Sequence, residues 1–110
     1  MEVIIDKKDG LDVVSISGRL DASNAAVFDE KMKGILSQNP GKVIVSLKGL
    51  DYVSSAGLRV FLAAVKEIKK TGGKLVFAQP TEPVFKVLKM SSLDTILQIY
   101  NSMEEAVSGL

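Results

Sequence analysis

Two adjacent serines, Ser54 and Ser55, are the side chains of this sequence best placed for a reversible modification. They follow an apolar run and precede a stretch with helical spacing, so they should lie at the N-terminus of a helix. The free N–H groups and partial positive charge of a helix start favour a bound phosphate. A phosphate on either serine would add about two negative charges to the surface. Phosphorylation would then control binding rather than folding.

A simpler interpretation of the same position is structural. Serine is a preferred N-cap residue, so Ser54 or Ser55 could serve only to accept a hydrogen bond from the first helical turn. Gly57 would then let that turn pack closely. The position of the two serines does not decide between a cap and a switch.

The composition argues against an enzyme. The chain has no cysteine and no histidine, which excludes disulfides, thiolate chemistry, Cys/His zinc sites and Ser-His or Cys-His nucleophiles. No serine is followed three residues later by lysine, and neither common phosphate-binding glycine motif occurs. Five aspartates at expected strand ends suit turns and caps better than a carboxylate site; they are Asp6, Asp9, Asp12, Asp21 and Asp51. We expect no catalysis, cofactor or metal.

Length and charge indicate one domain over residues 1–110, with 46% apolar and 25% charged residues. The net charge of +1 has no block of like sign, which argues against direct nucleic-acid binding. The densest basic stretch, within residues 66–74, is interpreted as a solvated helix face. The start of the chain does not resemble a signal peptide, and the longest apolar run, residues 60–65, is too short to span a bilayer. We expect a cytoplasmic protein without membrane association.

The first third of the chain predicts a hairpin and a helix. Strands at residues 3–5 and 11–16 flank a polar turn at residues 6–10. Gly18 is expected to end the second strand. Asp21 or Ser23 should then accept hydrogen bonds from the N–H groups that open a helix, which residues 39–41 stop.

The remainder alternates strands and helices. Residues 43–47 form a continuous apolar run, typical of a central strand in a parallel sheet, and a loop over residues 48–54 should lead into the second helix. Two glycines, at positions 72 and 73, suit a left-handed helix end. The further elements are a strand at 75–78, a helix from Thr81, a strand at 97–100 and a terminal helix opened by a capping box at Ser102 and Glu105. These predict an α/β fold with a mixed, mainly parallel sheet of about five strands and about four helices.

Residues 52–59, Y-V-S-S-A-G-L-R, resemble the phosphorylation loop of anti-sigma factor antagonists of the STAS domain family, commonly D-S-[ST]-G-L or S-S-A-G-L-R. The likeness extends to residues 16–21, 71–75 and 87–93, in the family's order. The chain is therefore identified as a member of this family, which implies a single STAS-type domain.

The resemblance implies that Ser55 is phosphorylated, because it lies two positions before the Gly-Leu pair. Ser54 occupies the frequent aspartate position and remains the alternative acceptor, while Ala56 replaces the second Ser/Thr. Asp21 matches an acidic position near the phosphorylated serine, or it is a helix cap. The residues expected to contact the partner are Asp21, Tyr52, Ser54, Ser55, Ala56, Gly57 and Arg59.

The resemblance also implies partner switching. The unphosphorylated antagonist binds an anti-sigma factor that is a serine kinase, and this binding releases the sigma factor. The kinase phosphorylates the antagonist with ATP, the complex dissociates, and a phosphatase resets the system. Two other functions remain open: a constitutive STAS scaffold subunit of a transporter or sensor complex, and a small enzyme or nucleotide-binding protein.

Overall fold

The computed structural model describes residues 1–8 and 10–110. The strands are β1 (Glu2–Lys8), β2 (Leu11–Leu20), β3 (Lys42–Val53), β4 (Lys74–Ala78) and β5 (Ile99–Tyr100). The helices are α1 (Ala25–Leu36), α2 (Ser55–Lys70), α3 (Glu82–Met90) and α4 (Met103–Ser108), with a 3-10 turn at Leu93–Thr95. In the described part of the chain, no helix has the length and apolar character needed to cross a membrane.

The strands form one sheet in the order β1-β2-β3-β4-β5, with β1 antiparallel to β2 and every other neighbouring pair parallel. Parallel neighbours need long crossover connections. Helix α1 connects β2 to β3, and α2 connects β3 to β4. The predicted mixed, mainly parallel five-stranded sheet with four helices is confirmed. The predicted hairpin turn at residues 6–10 is too long, because β1 continues to Lys8 and pairs with β2 over residues 6–8. Asp9 lies outside the described residues, and Gly10 has the positive φ, 80°, expected of a turn glycine.

The helices cover the sheet unevenly. A large apolar cluster joins α1, α2 and α3 to one face, with the ring centroids of Phe28 and Phe61 6.0 Å apart and those of Phe61 and Phe77 5.0 Å apart. A small cluster on the other face packs Ala106 of α4 against Ile44 and neighbouring residues. The central strand β3 is therefore buried from both sides, as its continuous apolar run predicts.

The predicted loop at residues 48–54 is wrong, because β3 continues to Val53. Its pairing with β2 passes through register shifts, after which Gly49 lies opposite Ser17 and Val53 opposite Leu20. A Cβ at Gly49 would lie 2.7 Å from the Cβ of Ser17, so only glycine fits there. Beyond Leu47 the buried residues recur every third position, not every second, and this irregular spacing resembles a loop in the sequence.

The predicted end of β2 at Gly18 is also wrong, since the strand runs to Leu20. Gly18 has a φ of 86° and lies at one of the register shifts with β3. Its positive φ accommodates an irregularity inside the strand rather than a turn after it. The two added residues carry β2 to the same edge of the sheet as the end of β3.

The helix ends agree more closely with the sequence. Gly72 has a φ of 78°, and the N–H of Gly73 donates to the Ile68 carbonyl at 3.0 Å, which is the hydrogen bond of a Schellman C-cap. At α4, the Ser102 hydroxyl oxygen accepts from the Glu105 N–H at 3.1 Å, as the capping box predicts. The last strand is shorter than predicted, covering Ile99–Tyr100 after the 3-10 turn.

Candidate functional site

Ser54 joins the end of the central strand to α2. Its backbone N–H donates to the carbonyl of Leu20 at 2.9 Å, which ties the start of the helix to the end of β2. Its hydroxyl oxygen accepts from the Gly57 N–H at 3.4 Å, so Ser54 is the N-cap of α2. The residue is half-buried. Ser54 is therefore held in place by hydrogen bonds from both its backbone and its side chain.

Ser55 is the first residue of α2 and is exposed. Among the hydrogen bonds between described residues, none involves its hydroxyl group. The two serines thus differ although they are adjacent: Ser54 supports the fold, whereas Ser55 presents a hydroxyl that another protein can reach. The local sequence pattern did not decide which serine is the cap, because serine is a preferred N-cap residue and either one could precede the helix.

Gly57 sets how closely α2 approaches the sheet. It is buried, and a Cβ at this position would lie 2.7 Å from Cγ of Leu20 and 2.9 Å from Cγ2 of Val53. Those two side chains are 0% and 1% exposed, so they have little space to move. The close packing fixes the path of the backbone that carries Ser55. Ala56, between Ser55 and Gly57, is half-buried and packs against the large apolar cluster that joins the helices to the sheet.

Arg19 and Tyr52 form the surface immediately before the serines. They are paired residues of β2 and β3, and the guanidinium carbon of Arg19 lies 4.2 Å from the centroid of the Tyr52 ring. This is a cation–π contact, and it orders two long side chains that are both exposed. Sequence reasoning selected Tyr52 but not Arg19, although Arg19 lies within the 16–21 stretch that carries the family resemblance.

Asp21 follows β2 directly, and its role differs from the predicted cap. Its Oδ1 accepts hydrogen bonds from the hydroxyl of Ser23 at 2.6 Å and from the N–H of Ser23 at 3.0 Å. The helix starts later, at Ala25, with Asn24 as the N-cap residue. The prediction that Asp21 or Ser23 caps the helix is therefore wrong; the Asp21 side chain closes the turn before it, and Asn24 Oδ1 accepts from the Asp21 N–H at 2.9 Å.

The electrostatics of this turn keep Asp21 negative. The Ser23 hydroxyl, and after it the Ser23 N–H, hold the pKa of the Asp21 carboxyl below its usual value. Desolvation of the carboxyl opposes this lowering of the pKa, and the positive charge of Arg19 contributes to the lowering. Asp21 is thus an ionised, partly exposed carboxylate at neutral pH.

Most of the predicted site lies at the carboxyl ends of β2 and β3. β2 and β3 are parallel neighbours, so their carboxyl ends lie side by side, with Leu20 paired to Val53. Asp21 follows the first of these residues and Ser54 follows the second. Arg59 lies one turn along α2 from Ser55, at the (i, i+4) spacing, and is exposed.

Two grooves of the structure lie away from these serines. In the described part of the chain, a groove of about 330 Å³ lies between α1 and α2, lined by residues such as Met32 and Ala64. A second, of about 380 Å³, lies near the C-terminal end of α2 and the start of β4. Ser54 and Ser55 line neither groove. Around them Tyr52, Ser55 and Arg59 are exposed, which suits contact with another protein.

Comparison with known proteins gives a consistent result. The family model described as the STAS domain matches residues 2–106. BtrV of Bordetella bronchiseptica, provisionally named an anti-sigma factor antagonist, is 31% identical over 109 residues, which cover 99% of this chain and 94% of BtrV. The anti-sigma-B factor antagonist of Bacillus subtilis is 31% identical over 94 residues, or 86% of this chain and 85% of that protein.

Solved structures agree with the fold. The unphosphorylated form of the anti-sigma factor antagonist SpoIIAA matches with a TM-score of 0.82 at 21% identity, covering 99% of this chain and 98% of SpoIIAA. The phosphorylated form of SpoIIAA, from Bacillus, matches with a TM-score of 0.73 at 19% identity over 97% of both chains. With the family match over nearly the whole length, these comparisons show that the chain belongs to the STAS domain family.

Proposed function

We propose that this chain is an anti-sigma factor antagonist whose binding to its anti-sigma factor is switched off by phosphorylation of Ser55. The proposal rests on the different environments of the two serines. Ser54 caps α2, while Ser55 is exposed at the first helical position. The Ser55 hydroxyl makes no hydrogen bond to any other described residue. Relatives over most of the chain's length are named as antagonists of anti-sigma factors, and a protein of the same fold has been solved in phosphorylated form.

In the proposed reaction the chain is the substrate and the partner is the catalyst. The oxygen of the Ser55 hydroxyl attacks the γ-phosphorus of ATP held by an anti-sigma factor serine kinase. The bond to the β-phosphate oxygen breaks, ADP leaves, and a base of the kinase takes the hydroxyl proton. A phosphatase later hydrolyses the phosphoserine to serine and inorganic phosphate. Neither step needs a base, metal or cofactor from this chain.

The modified surface explains how binding would be lost. The phosphate brings about two negative charges to an edge of the sheet that already carries the ionised Asp21. A partner surface that fits closely over Tyr52 and Ser55, or that presents carboxylates, would be repelled. We propose Asp21, Ser54, Ala56 and Arg59 as the other residues of this contact surface. Gly57, which was expected to contact the partner, is buried and acts by fixing the backbone that carries Ser55.

The fold should tolerate the phosphate. A negative group at the first residue of α2 meets the partial positive charge of the helix N-terminus, which favours it. The cap provided by Ser54 and the packing of Gly57 do not involve the Ser55 hydroxyl. Phosphorylation is thus expected to change the surface and leave the packing intact. We further propose that the protein acts in the cytoplasm as one domain over residues 1–110, without direct contact to nucleic acid or membrane.

The direct test is phosphorylation of the purified chain by the anti-sigma factor kinase of its own organism with ATP. Intact mass and peptide mapping should show one phosphate, on Ser55. Ser55→Ala should abolish it, and Ser54→Ala, the matched control one residue away, should retain it. Phosphate on Ser54 alone would refute the residue assignment. An unmodified chain that still binds its partner would instead support the constitutive scaffold.

A further inference from the structure

The outer edge of β1 is the longer of the two unpaired sheet edges in the described part of the chain. β1 covers Glu2–Lys8 at one end of the sheet and pairs with β2 on its inner side. The strand at the other end, β5, has two residues. An open strand edge presents unpaired N–H and C=O groups that can pair with another strand. β1 also exposes two large apolar side chains, Ile4 at 57% and Ile5 at 43%.

The charges along β1 are complementary to those of a second copy of β1 that lies antiparallel to it. Glu2 lies at its start and an apolar segment follows. Asp6, Lys7 and Lys8 lie at its end, which is net positive although Lys8 lies 3.8 Å from Asp6. Two parallel copies would bring the lysines of both strands together, whereas two antiparallel copies bring the acidic end of each to the basic end of the other. We propose that the chain forms a homodimer through antiparallel pairing of β1 with β1 of a second copy, which joins the two sheets into one.

Side-chain alternation restricts the register of this pairing. Val3 and Ile5 are paired with Ile16 and Val14, so they share the face of the sheet that α1 and α2 cover. Glu2, Ile4, Asp6 and Lys8, at the even-numbered positions, share the opposite face. A continuous sheet keeps these faces aligned, so residues of equal parity must lie opposite one another. The two-fold axis can then pass through the middle of the strand at Ile4, Ile5 or Asp6.

The charges distinguish these three registers. An axis at Ile4 would place Glu2 opposite Asp6 twice, and an axis at Asp6 would place two aspartates directly opposite each other. An axis at Ile5 places Glu2 of each copy opposite Lys8 of the other and brings the two Ile5 side chains together. Opposite charges stabilise a cross-strand pair, and like charges destabilise it. The charge pattern therefore favours the axis at Ile5.

The proposed dimer would be weak and would leave the serine site accessible. One strand pair buries less than the roughly 1,200 Å² typical of a stable interface, so we expect the dimer to form only at high protein concentration. β2 separates β1 from β3 in the sheet, so Ser55 stays outside the new contact. Each dimer would then present two phosphorylation sites.

A disulfide can report the register, because the chain has no cysteine of its own. In the Ile5→Cys variant the two introduced thiols lie on directly opposite residues, with Cα atoms about 4.5 to 5.5 Å apart, which permits a disulfide. Ile4→Cys is the matched control. Its two positions are shifted by two residues along the strands, which places their Cα atoms roughly 8 Å apart and out of range. Under mild oxidation, Ile5→Cys should form a covalent dimer at least about ten times faster. Equal rates would overturn the proposal.

Charge reversal tests the same contact without a covalent bond. Sedimentation up to about 1 mM protein should show dimerisation of the natural chain, and Glu2→Lys should weaken it about tenfold. The double variant Glu2→Lys with Lys8→Glu should restore it, since the pairs are exchanged rather than removed. Circular dichroism confirms that each variant is folded, as expected for substitutions at exposed positions. A chain that stays monomeric at all concentrations would overturn self-pairing and leave the edge to a strand of another protein.

Discussion

Replacing Gly57 with alanine tests whether α2 packs as closely against the sheet at Ser54 and Ser55 as the structure shows. The added Cβ would lie 2.7 and 2.8 Å from Cγ and Cδ2 of Leu20 and 2.9 Å from Cγ2 of Val53. All three distances are shorter than carbon atoms normally tolerate. Both neighbours belong to the main apolar cluster and are 0% and 1% exposed, so neither side chain can turn away without disturbing others. The start of α2 must therefore move outward.

The expected magnitude follows from two opposing effects. Overpacking a tight core costs about 1 to 3 kcal/mol, while alanine in place of glycine favours a helix by up to about 1 kcal/mol. For Gly57→Ala we expect a net loss of about 1 to 2 kcal/mol in the free energy of unfolding, and a melting temperature lower by roughly 4 to 8 °C.

Gly34→Ala provides the matched control, because Gly34 is an exposed glycine of α1 and a Cβ there meets nothing within 4 Å. This variant keeps the helical gain without the clash, so it should be more stable by about 0.5 to 1 kcal/mol. Urea titrations followed by circular dichroism measure both variants. If Gly57→Ala is as stable as Gly34→Ala, the approach of α2 to the sheet is looser than described and the reasoning fails.

Three other predictions concern the same edge of the sheet. Ser54→Ala should lower the free energy of unfolding by about 1 kcal/mol because it removes the cap of α2, whereas Ser55→Ala should change it by less than about 0.5 kcal/mol; equal losses in urea titrations would contradict the assigned roles. Ser23→Ala should raise the pKa of the Asp21 carboxyl towards its usual value, as measured by NMR titration, since the Ser23 hydroxyl is the largest cause of its lowering. Because the pKa of Asp21 is lowered in the folded chain, the contribution of Asp21 to stability is present above the unfolded-state pKa. It is lost as the pH falls through the folded-state pKa. An unchanged Asp21 titration in Ser23→Ala would refute the role of the Ser23 hydroxyl. Ser55→Ala should bind the anti-sigma factor kinase persistently and Ser55→Asp poorly, by at least about tenfold in Kd, and calorimetric titrations giving equal affinities would argue against the switch.

Local patterns were sufficient for most elements of this fold. The continuous apolar run of residues 43–47 marks a central strand, and the glycines after α2 mark a left-handed helix end. The capping box at Ser102 marks the start of α4. Each of these signals acts between residues a few positions apart, so it can be recognised in the sequence and survives in the structure. The phosphorylation of Ser55 and the contact residues around it remain predictions.

The tertiary structure decided the features that depend on contacts between distant parts of the chain. The pairing of Leu20 with Val53 extends both strands beyond their regular spacing, and it brings the backbone of Leu20 to the N–H of Ser54. That contact separates a capping Ser54 from an exposed Ser55. It also creates the close packing that only glycine allows at position 57. The sequence by itself determined which residue types lie at the edge; the β2–β3 pairing, between segments more than thirty residues apart, determined what each one can do there.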